Sequence, residues 1–229
     1  MNFFSKLSLT GLLLASSGAM AVEPAFGWYT GFMLGLSWAP AINFSLANPA
    51  PPPLIFRKNQ VAYGLGGNAG FQFGYRCYRF RYEGELMANY NKINKLSLHG
   101  VTLKTKRTAG VNIRGYTDFP AALFNLYYEF YDLEYSDTTW APYIGLGIGY
   151  ARVRTAISYF ANNVKYAHNI SDSTTPIGQA IFGVNYFLSS DMSLGTDLRY
   201  MLTRNHSVFD QRFAVVTWNL VFNYSFDDI

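Results

Sequence analysis

Bulky apolar and small polar residues alternate through the last strand-like segment of the chain, residues 216–226. The bulky set is Val216, Trp218, Leu220, Phe222, Tyr224 and Phe226, and the residues between them are Thr217, Asn219, Val221, Asn223 and Ser225. Successive side chains of a β-strand point to opposite faces of the sheet. The segment therefore predicts a strand with one broad apolar face and one mostly polar face.

The same alternation predicts seven further strands, at about 28–38, 64–76, 80–90, 122–130, 140–151, 177–188 and 194–201. The register is well defined, because a slip of one residue in the third strand would move Glu83 and Glu85 to the apolar face. So many apolar faces do not fit the dry core of a soluble sheet. We interpret them as facing lipid, with the polar faces lining the inside of a closed barrel.

The connections between these strands alternate in length. Those at about 39–63, 91–120, 152–176 and 202–213 are long, and those at about 77–79, 132–139 and 189–191 are short. Long extracellular loops and short periplasmic turns are typical of outer-membrane barrels. The sequence thus predicts an all-β fold, an eight-stranded antiparallel up-and-down transmembrane β-barrel. Residues 108–118 also alternate, which leaves open whether the second long loop is an extended hairpin.

The composition agrees with a barrel and argues against a soluble domain and a helical membrane protein. Of the 229 residues, 18% are aromatic and only 14% are charged, whereas soluble domains carry about 25% charged residues. No apolar run of about 18 residues follows the N-terminal segment, which argues against helical membrane spans. Cys77 is the only cysteine, so an internal disulfide is excluded.

The first 21 residues have the pattern of a secretory signal peptide. Lys6 precedes an apolar stretch at 7–14, and Ala19-Met20-Ala21 forms a small-residue cleavage site. We therefore expect a signal peptide at 1–21, removed after Sec-type export, and a barrel domain at 22–229. The expected location is the bacterial outer membrane.

Charged residues occur on the predicted inward faces. They are Arg76, Arg81, Glu83, Glu85, Glu129, Asp197 and Arg199. Buried charges of both signs are expected to pair, because an unpaired buried charge is costly. We favour a charge network that closes the lumen as a structural plug, and a gated pore or proton path is the alternative. Inward glycines would make room for larger side chains that cross the lumen.

Three segments resemble a known group of barrels. They are Gly27-Trp28-Tyr29-Thr30-Gly31, the run 125–130 (NLYYEF) and the run 140–150 (WAPYIGLGIGY). On these segments the chain resembles the eight-stranded family that includes the OmpA membrane domain and the Opa-like opacity and surface-antigen porins of Gram-negative bacteria. The resemblance implies outer-membrane lipid as surroundings and the barrel-insertion machinery as a partner in biogenesis. Tyr224 and Phe226 resemble the C-terminal signal which that machinery reads, although Asp227-Asp228-Ile229 follow them.

Basic residues concentrate in the predicted extracellular loops. The basic extracellular rim is defined by Lys104, Lys106, Arg107, Arg114, Arg152, Arg154 and Lys165. Such a rim would neutralise lipopolysaccharide phosphates, and an acidic glycan on a host surface is a second possible partner. The sequence predicts no nucleic-acid partner, because an exported barrel has no access to nucleic acid.

The residues favour a non-enzymatic surface protein, structural or adhesin-like. A passive small-solute channel is one alternative, and a lipid A-modifying enzyme is a weaker one. The enzyme would need a serine, a histidine and an acid at hydrogen-bonding distance. His206, Ser207 and Asp210 are the one such cluster, yet adjacent residues of a strand point to opposite faces, and His99 and His168 also fall in predicted loops. We predict no cofactor and no metal, because no ligand spacing or phosphate-binding motif is present.

Overall fold

The fold was analysed in a computed structural model, which describes residues 25–44, 59–98, 101–105, 111–130, 140–161, 164–204 and 212–226. These ranges form eleven strands and contain no helix that could span a membrane. The strands are β1 (Gly27–Trp38), β2 (Ile42–Phe44), β3 (Asn59–Tyr63), β4 (Leu65–Cys77), β5 (Phe80–Leu98), β6 (Val101–Lys104), β7 (Val111–Glu129), β8 (Trp140–Ala161), β9 (Val164–Phe187), β10 (Met192–Thr203) and β11 (Ala214–Ser225).

Eight of these strands form a closed antiparallel ring in the order β1-β4-β5-β7-β8-β9-β10-β11. The ring closes between the first and last strands, from Tyr29↔Ser225 to Trp38↔Val216. Closure supplies every strand of the ring with two neighbours, so no edge of the sheet faces lipid. The predicted eight-stranded up-and-down barrel is confirmed.

The bulky side chains lie on the outside of this cylinder. Trp218 and Phe73 are 49% and 47% exposed, and Trp28 stacks on Phe73 with ring centroids 5.1 Å apart. Trp28 and Trp38 lie at opposite ends of β1. Their separation of ten residues corresponds to about 33 Å along a strand. At the usual strand tilt this gives a lipid-facing band about 25 Å tall.

Four strands continue well beyond this band and form an outer sheet. β8 and β9 have 22 and 24 residues, and β5 and β7 have 19 each. The predicted loops at 91–120 and 152–176 were therefore wrong in large part, since most of their residues lie in strands. Of the alternating residues 108–118, those from Val111 onward do lie in an extended strand that pairs with β5 and β8, and residues 108–110 lie outside the described residues. We call the parts of β7, β8 and β9 in residues 111–118, 152–161 and 164–174 the outer extension.

Tyrosines inside the barrel lie over glycines on the neighbouring strand. Tyr127 is directly opposite Gly145, and Tyr143 is directly opposite Gly183. A Cβ atom added to Gly145 would lie 2.5 Å from the Tyr127 ring, and one added to Gly183 would lie 2.5 Å from the Tyr143 ring. The absence of a side chain at these glycines therefore leaves the space that the tyrosine rings occupy. This agrees with the prediction that inward glycines make room for larger side chains.

Replacing Gly145 by alanine is expected to destabilise the barrel by about 1–3 kcal/mol, because the Tyr127 ring must leave its position. Gly84→Ala is the matched control, since a Cβ atom there would meet nothing closer than 3.8 Å. Urea-induced unfolding in lipid vesicles measures both variants. Equal unfolding midpoints would show that the ring does not depend on the glycine.

Candidate functional site

The inner end of the lumen holds an ion cluster around Glu129. Arg76 Nε lies 3.0 Å from Glu129 Oε2, and Arg81 Nη1 lies 3.6 Å from Glu129 Oε1. Asn185 Nδ2 donates a hydrogen bond of 3.2 Å to the same Oε1 atom. All three charged side chains are buried. One carboxylate on β7 is thus the shared counterion of two guanidinium groups that come from β4 and β5.

Three tyrosines surround the guanidinium of Arg81. Its Cζ atom lies 4.0 Å from the ring centroid of Tyr127, 4.9 Å from that of Tyr143 and 5.6 Å from that of Tyr29. Tyr29 and Tyr127 also donate hydrogen bonds of 2.6 and 2.8 Å to Glu83. The aromatic faces attract the Arg81 cation, while the hydroxyl groups of Tyr29 and Tyr127 supply hydrogen bonds to the Glu83 carboxylate.

A second ion cluster crosses the lumen. Arg199 on β10 donates to Asp197 on its own strand at 2.9 Å and to Glu85 on β5 at 2.7 Å. β5 and β10 lie on opposite sides of the ring, four strands apart. Asn219 donates to Asp197 at 2.6 Å, and Asn125 donates to Glu85 at 2.6 Å. The pair Arg199–Glu85 therefore ties opposite walls of the barrel together.

The outer half of the lumen is filled by apolar side chains rather than charges. This outer apolar cluster extends from the middle of the barrel into the outer sheet; its main members are Met33, Val61, Met87, Ile93, Leu96, Ile113, Phe119, Leu123, Val153, Ile157, Ile177, Met201, Phe213, Val215 and Val221. Phe213 makes edge contacts with Tyr63 and Phe119 at 5.6 and 5.7 Å between ring centroids. The buried charges therefore lie toward the inner end of the lumen, while the outer end is mainly apolar and holds neutral polar groups such as Ser37, Asn91 and Thr117.

All seven residues of the predicted charge network lie inside the barrel, in these two clusters. Three arginines face four carboxylates there. Sequence reasoning placed them on the inward face but missed the outer apolar cluster, although Ile113, Val153 and Ile157 alternate with outward residues.

The basic rim is only partly within the described residues, because Lys106 and Arg107 lie outside them. Lys104, Arg114, Arg152, Arg154 and Lys165 are all exposed. Arg114, Arg152 and Arg154 share the outward face of the outer extension, and the guanidinium of Arg114 lies 5.0 Å from the ring centroid of Phe160.

Acidic residues interrupt this outward basic face. Arg154 is paired in register with Asp118 on one side and with Asp172 on the other. Arg152 Nε donates hydrogen bonds of 2.9 Å to both oxygens of Asp172. These bonds hold the pKa of Asp172 below its usual value. A lowered carboxyl pKa means that the pair stabilises the fold at neutral pH and loses this effect as the pH falls through that pKa.

One polar contact in the outer extension was not predicted. The hydroxyl of Ser158 lies 2.9 Å from His168 Nδ1, across β8 and β9. His168 is therefore in a strand and not in a loop as predicted. The cluster of His206, Ser207 and Asp210, the signal peptide and His99 all lie outside the described residues. Within those residues, no group of three His, Cys, Asp or Glu side chains could hold a metal ion.

Comparison with known protein families matches residues 7–226 to the family described as outer membrane protein beta-barrel domain. The match covers nearly the whole chain. The chain belongs to this outer-membrane barrel family. The resemblance noted from three sequence segments is thereby confirmed at the level of the family. The buried charges and the basic rim are therefore features of an outer-membrane barrel.

Several solved barrels are similar to this one. Neisserial surface protein A is 14% identical with a TM-score of 0.49, covering 89% of this chain and all of that one. The attachment invasion locus protein Ail of Yersinia pestis is 9% identical with a TM-score of 0.44, over 88% and 99% of the two chains. The N-terminal barrel of Pseudomonas aeruginosa OprF is 11% identical with a TM-score of 0.38, over 87% and 99%. A comparison with curated protein sequences finds no match.

The Glu129→Gln variant is expected to lose about 3–5 kcal/mol of stability, because two buried guanidinium groups lose their shared counterion. Asp172→Asn is the matched control, since it removes a carboxylate from an exposed pair. Unfolding of both variants in lipid vesicles, followed by heat-modifiable gel migration, measures the difference. An unchanged midpoint for Glu129→Gln would show that the inner cluster does not stabilise the barrel.

Proposed function

We propose that the protein is a non-enzymatic surface barrel whose outer extension contacts the phosphate groups of lipopolysaccharide. The observation that carries this proposal is that the two faces of the extended strands differ, one being apolar and buried and the other basic and exposed. Inward residues such as Val153 and Ile157 are buried in the apolar cluster, while Arg114, Arg152 and Arg154 face outward and are exposed.

The filled lumen supports a scaffold role. The Arg199–Glu85 bridge crosses the barrel, and the apolar cluster fills the lumen beyond it. A barrel of eight strands has an interior that side chains can fill. A permanent solute pathway would need room that these side chains occupy.

The shape of the basic face supports an anionic partner beside the barrel rather than inside it. Arginine suits phosphate because its planar guanidinium donates two parallel hydrogen bonds. The arginines lie on the side of β7 and β8 that turns away from the lumen, just beyond the lipid-facing band. The phosphates of outer-leaflet lipopolysaccharide lie at that height in the outer membrane. A host-surface acidic glycan would meet the same face only from farther out.

Arg114→Gln should weaken binding of deacylated, phosphorylated lipopolysaccharide by roughly threefold at low salt, because exposed charges contribute up to about 1 kcal/mol. Arg79→Gln is the matched control, since it removes the same charge at the periplasmic turn. Isothermal titration on the purified full-length barrel in detergent measures both affinities. The proposal fails if the wild type does not bind this ligand, or if Arg79→Gln weakens binding as much as Arg114→Gln.

Purified protein is expected to show no stable open state in planar lipid bilayers, because charged and apolar side chains fill the lumen. Single-channel recording at several voltages measures this directly. A reproducible conductance step above the baseline would favour the small-solute channel instead.

A further inference from the structure

The ladder between β7 and β8 is interrupted at one place. Asp118 pairs with Arg154, and the next pair is Ala121 with Ala151, so Phe119 and Pro120 are skipped. Proline has no backbone N–H with which to continue a ladder. Unpaired backbone groups are not tolerated against lipid hydrocarbon. The interruption therefore marks the height at which the barrel wall leaves the hydrocarbon and enters the headgroup region.

A groove opens in the outer wall at the same place. Its volume is about 380 Å³, within the size range of ligand sites. On the lipid side it is lined by Leu86, Pro120, Ala122 and Tyr150, all of which face outward. Pro120 and Ala122 are small side chains in this wall, and Ala122 lies between Leu86 and Tyr150 on the two neighbouring strands.

The groove also reaches residues of the inner face. Met87, Ala121 and Ala151 line it, although all three belong to the apolar cluster of the lumen and are buried. It is therefore an open depression whose floor includes residues with side chains on the lumen side. Its walls are apolar from the hydrocarbon side almost to the top.

The top of the groove carries the one charged lining residue, Arg152. Its side chain is 66% exposed, and its hydrogen bonds to Asp172 use Nε and Nη2. Within the described part of the chain, Nη1 is left for another acceptor. Arg154 lies two residues farther out on the same face of β8. An apolar slot that ends at a guanidinium is complementary to a lipid whose acyl chain joins an anionic headgroup.

We infer that this groove seats one acyl chain of a lipopolysaccharide molecule, with a lipid A phosphate bound by Arg152. The inference rests on the proposed function, since it takes lipopolysaccharide as the partner of the outer extension. It adds a defined position for the lipid part, which the basic face alone does not give.

Native mass spectrometry of the full-length barrel, loaded with bis-phosphorylated lipid A or with diacylglycerol, which has acyl chains but no phosphate, tests the site. Ala122→Trp fills the groove from the lipid side. We expect it to reduce retained lipid A by about fivefold or more. Ala180→Trp is the matched control, because Ala180 is an exposed outward residue of β9 outside the groove. It should stay within about twofold of the wild type.

Arg152→Gln tests the headgroup contact. It should lower the retention of lipid A but leave phosphate-free diacylglycerol unchanged, and Arg79→Gln, at the periplasmic turn outside the groove, should change neither. Heat-modifiable gel migration checks that each variant is folded. Equal retention in Ala122→Trp and Ala180→Trp would overturn the groove, and equal loss of both lipids in Arg152→Gln would overturn the phosphate contact.

Deacylated lipopolysaccharide separates this inference from the proposed function. Ala122→Trp should still bind the deacylated ligand like the wild type while it loses lipid A. If the wild type retains lipid A but does not bind the deacylated ligand, the basic face is not the partner surface and the proposed function fails on its own.

Discussion

Backbone hydrogen bonding across the β1–β11 seam is the constraint on which the rest of this structure depends. Ten residue pairs, from Tyr29↔Ser225 to Trp38↔Val216, turn an open sheet into a cylinder. Only a closed cylinder lets a sheet expose tryptophan, phenylalanine and leucine to lipid without leaving a row of unpaired backbone groups. Closure also creates the inside, and a ring of eight strands makes it narrow enough for side chains on opposite walls to meet.

Contacts across this narrow inside explain why the polar faces contain both glycines and large charged residues. Tyr127 needs Gly145 opposite it, and its ring in turn lies 4.0 Å from the Arg81 guanidinium. The cation is held by aromatic faces and shares the carboxylate of Glu129 with Arg76. Burial of charge is tolerated here because each ion has a counterion or a hydroxyl donor, and Arg76 and Arg81 also have aromatic rings beside them.

Alternation predicted the membrane part of the fold and the inward face of all seven charged residues, because the side-chain period of a strand is fixed. It did not predict partners such as Arg199 and Glu85, which are 114 residues apart and meet across the ring. Their contact depends on strand tilt and on the stagger between strands, which the pattern does not encode. The outer extension was taken for loop because Arg152 and Arg154 occupy the outward positions where a lipid-facing strand has apolar residues. The period of two nevertheless continues there in Val153, Thr155 and Ile157.

The long pairing of β8 with β9 has a consequence for how this hairpin reaches the outside of the cell. During insertion its tip must pass through the hydrocarbon, where a lone ionised side chain is expensive. Arg152 and Asp172 are bonded to each other within the hairpin, and Arg154 faces Asp172 directly. Once β8 and β9 have paired, the arginines of the hairpin have a carboxylate counterion within it. The free energy needed to move the hairpin across the hydrocarbon is therefore lower than that for a disordered loop with the same charges.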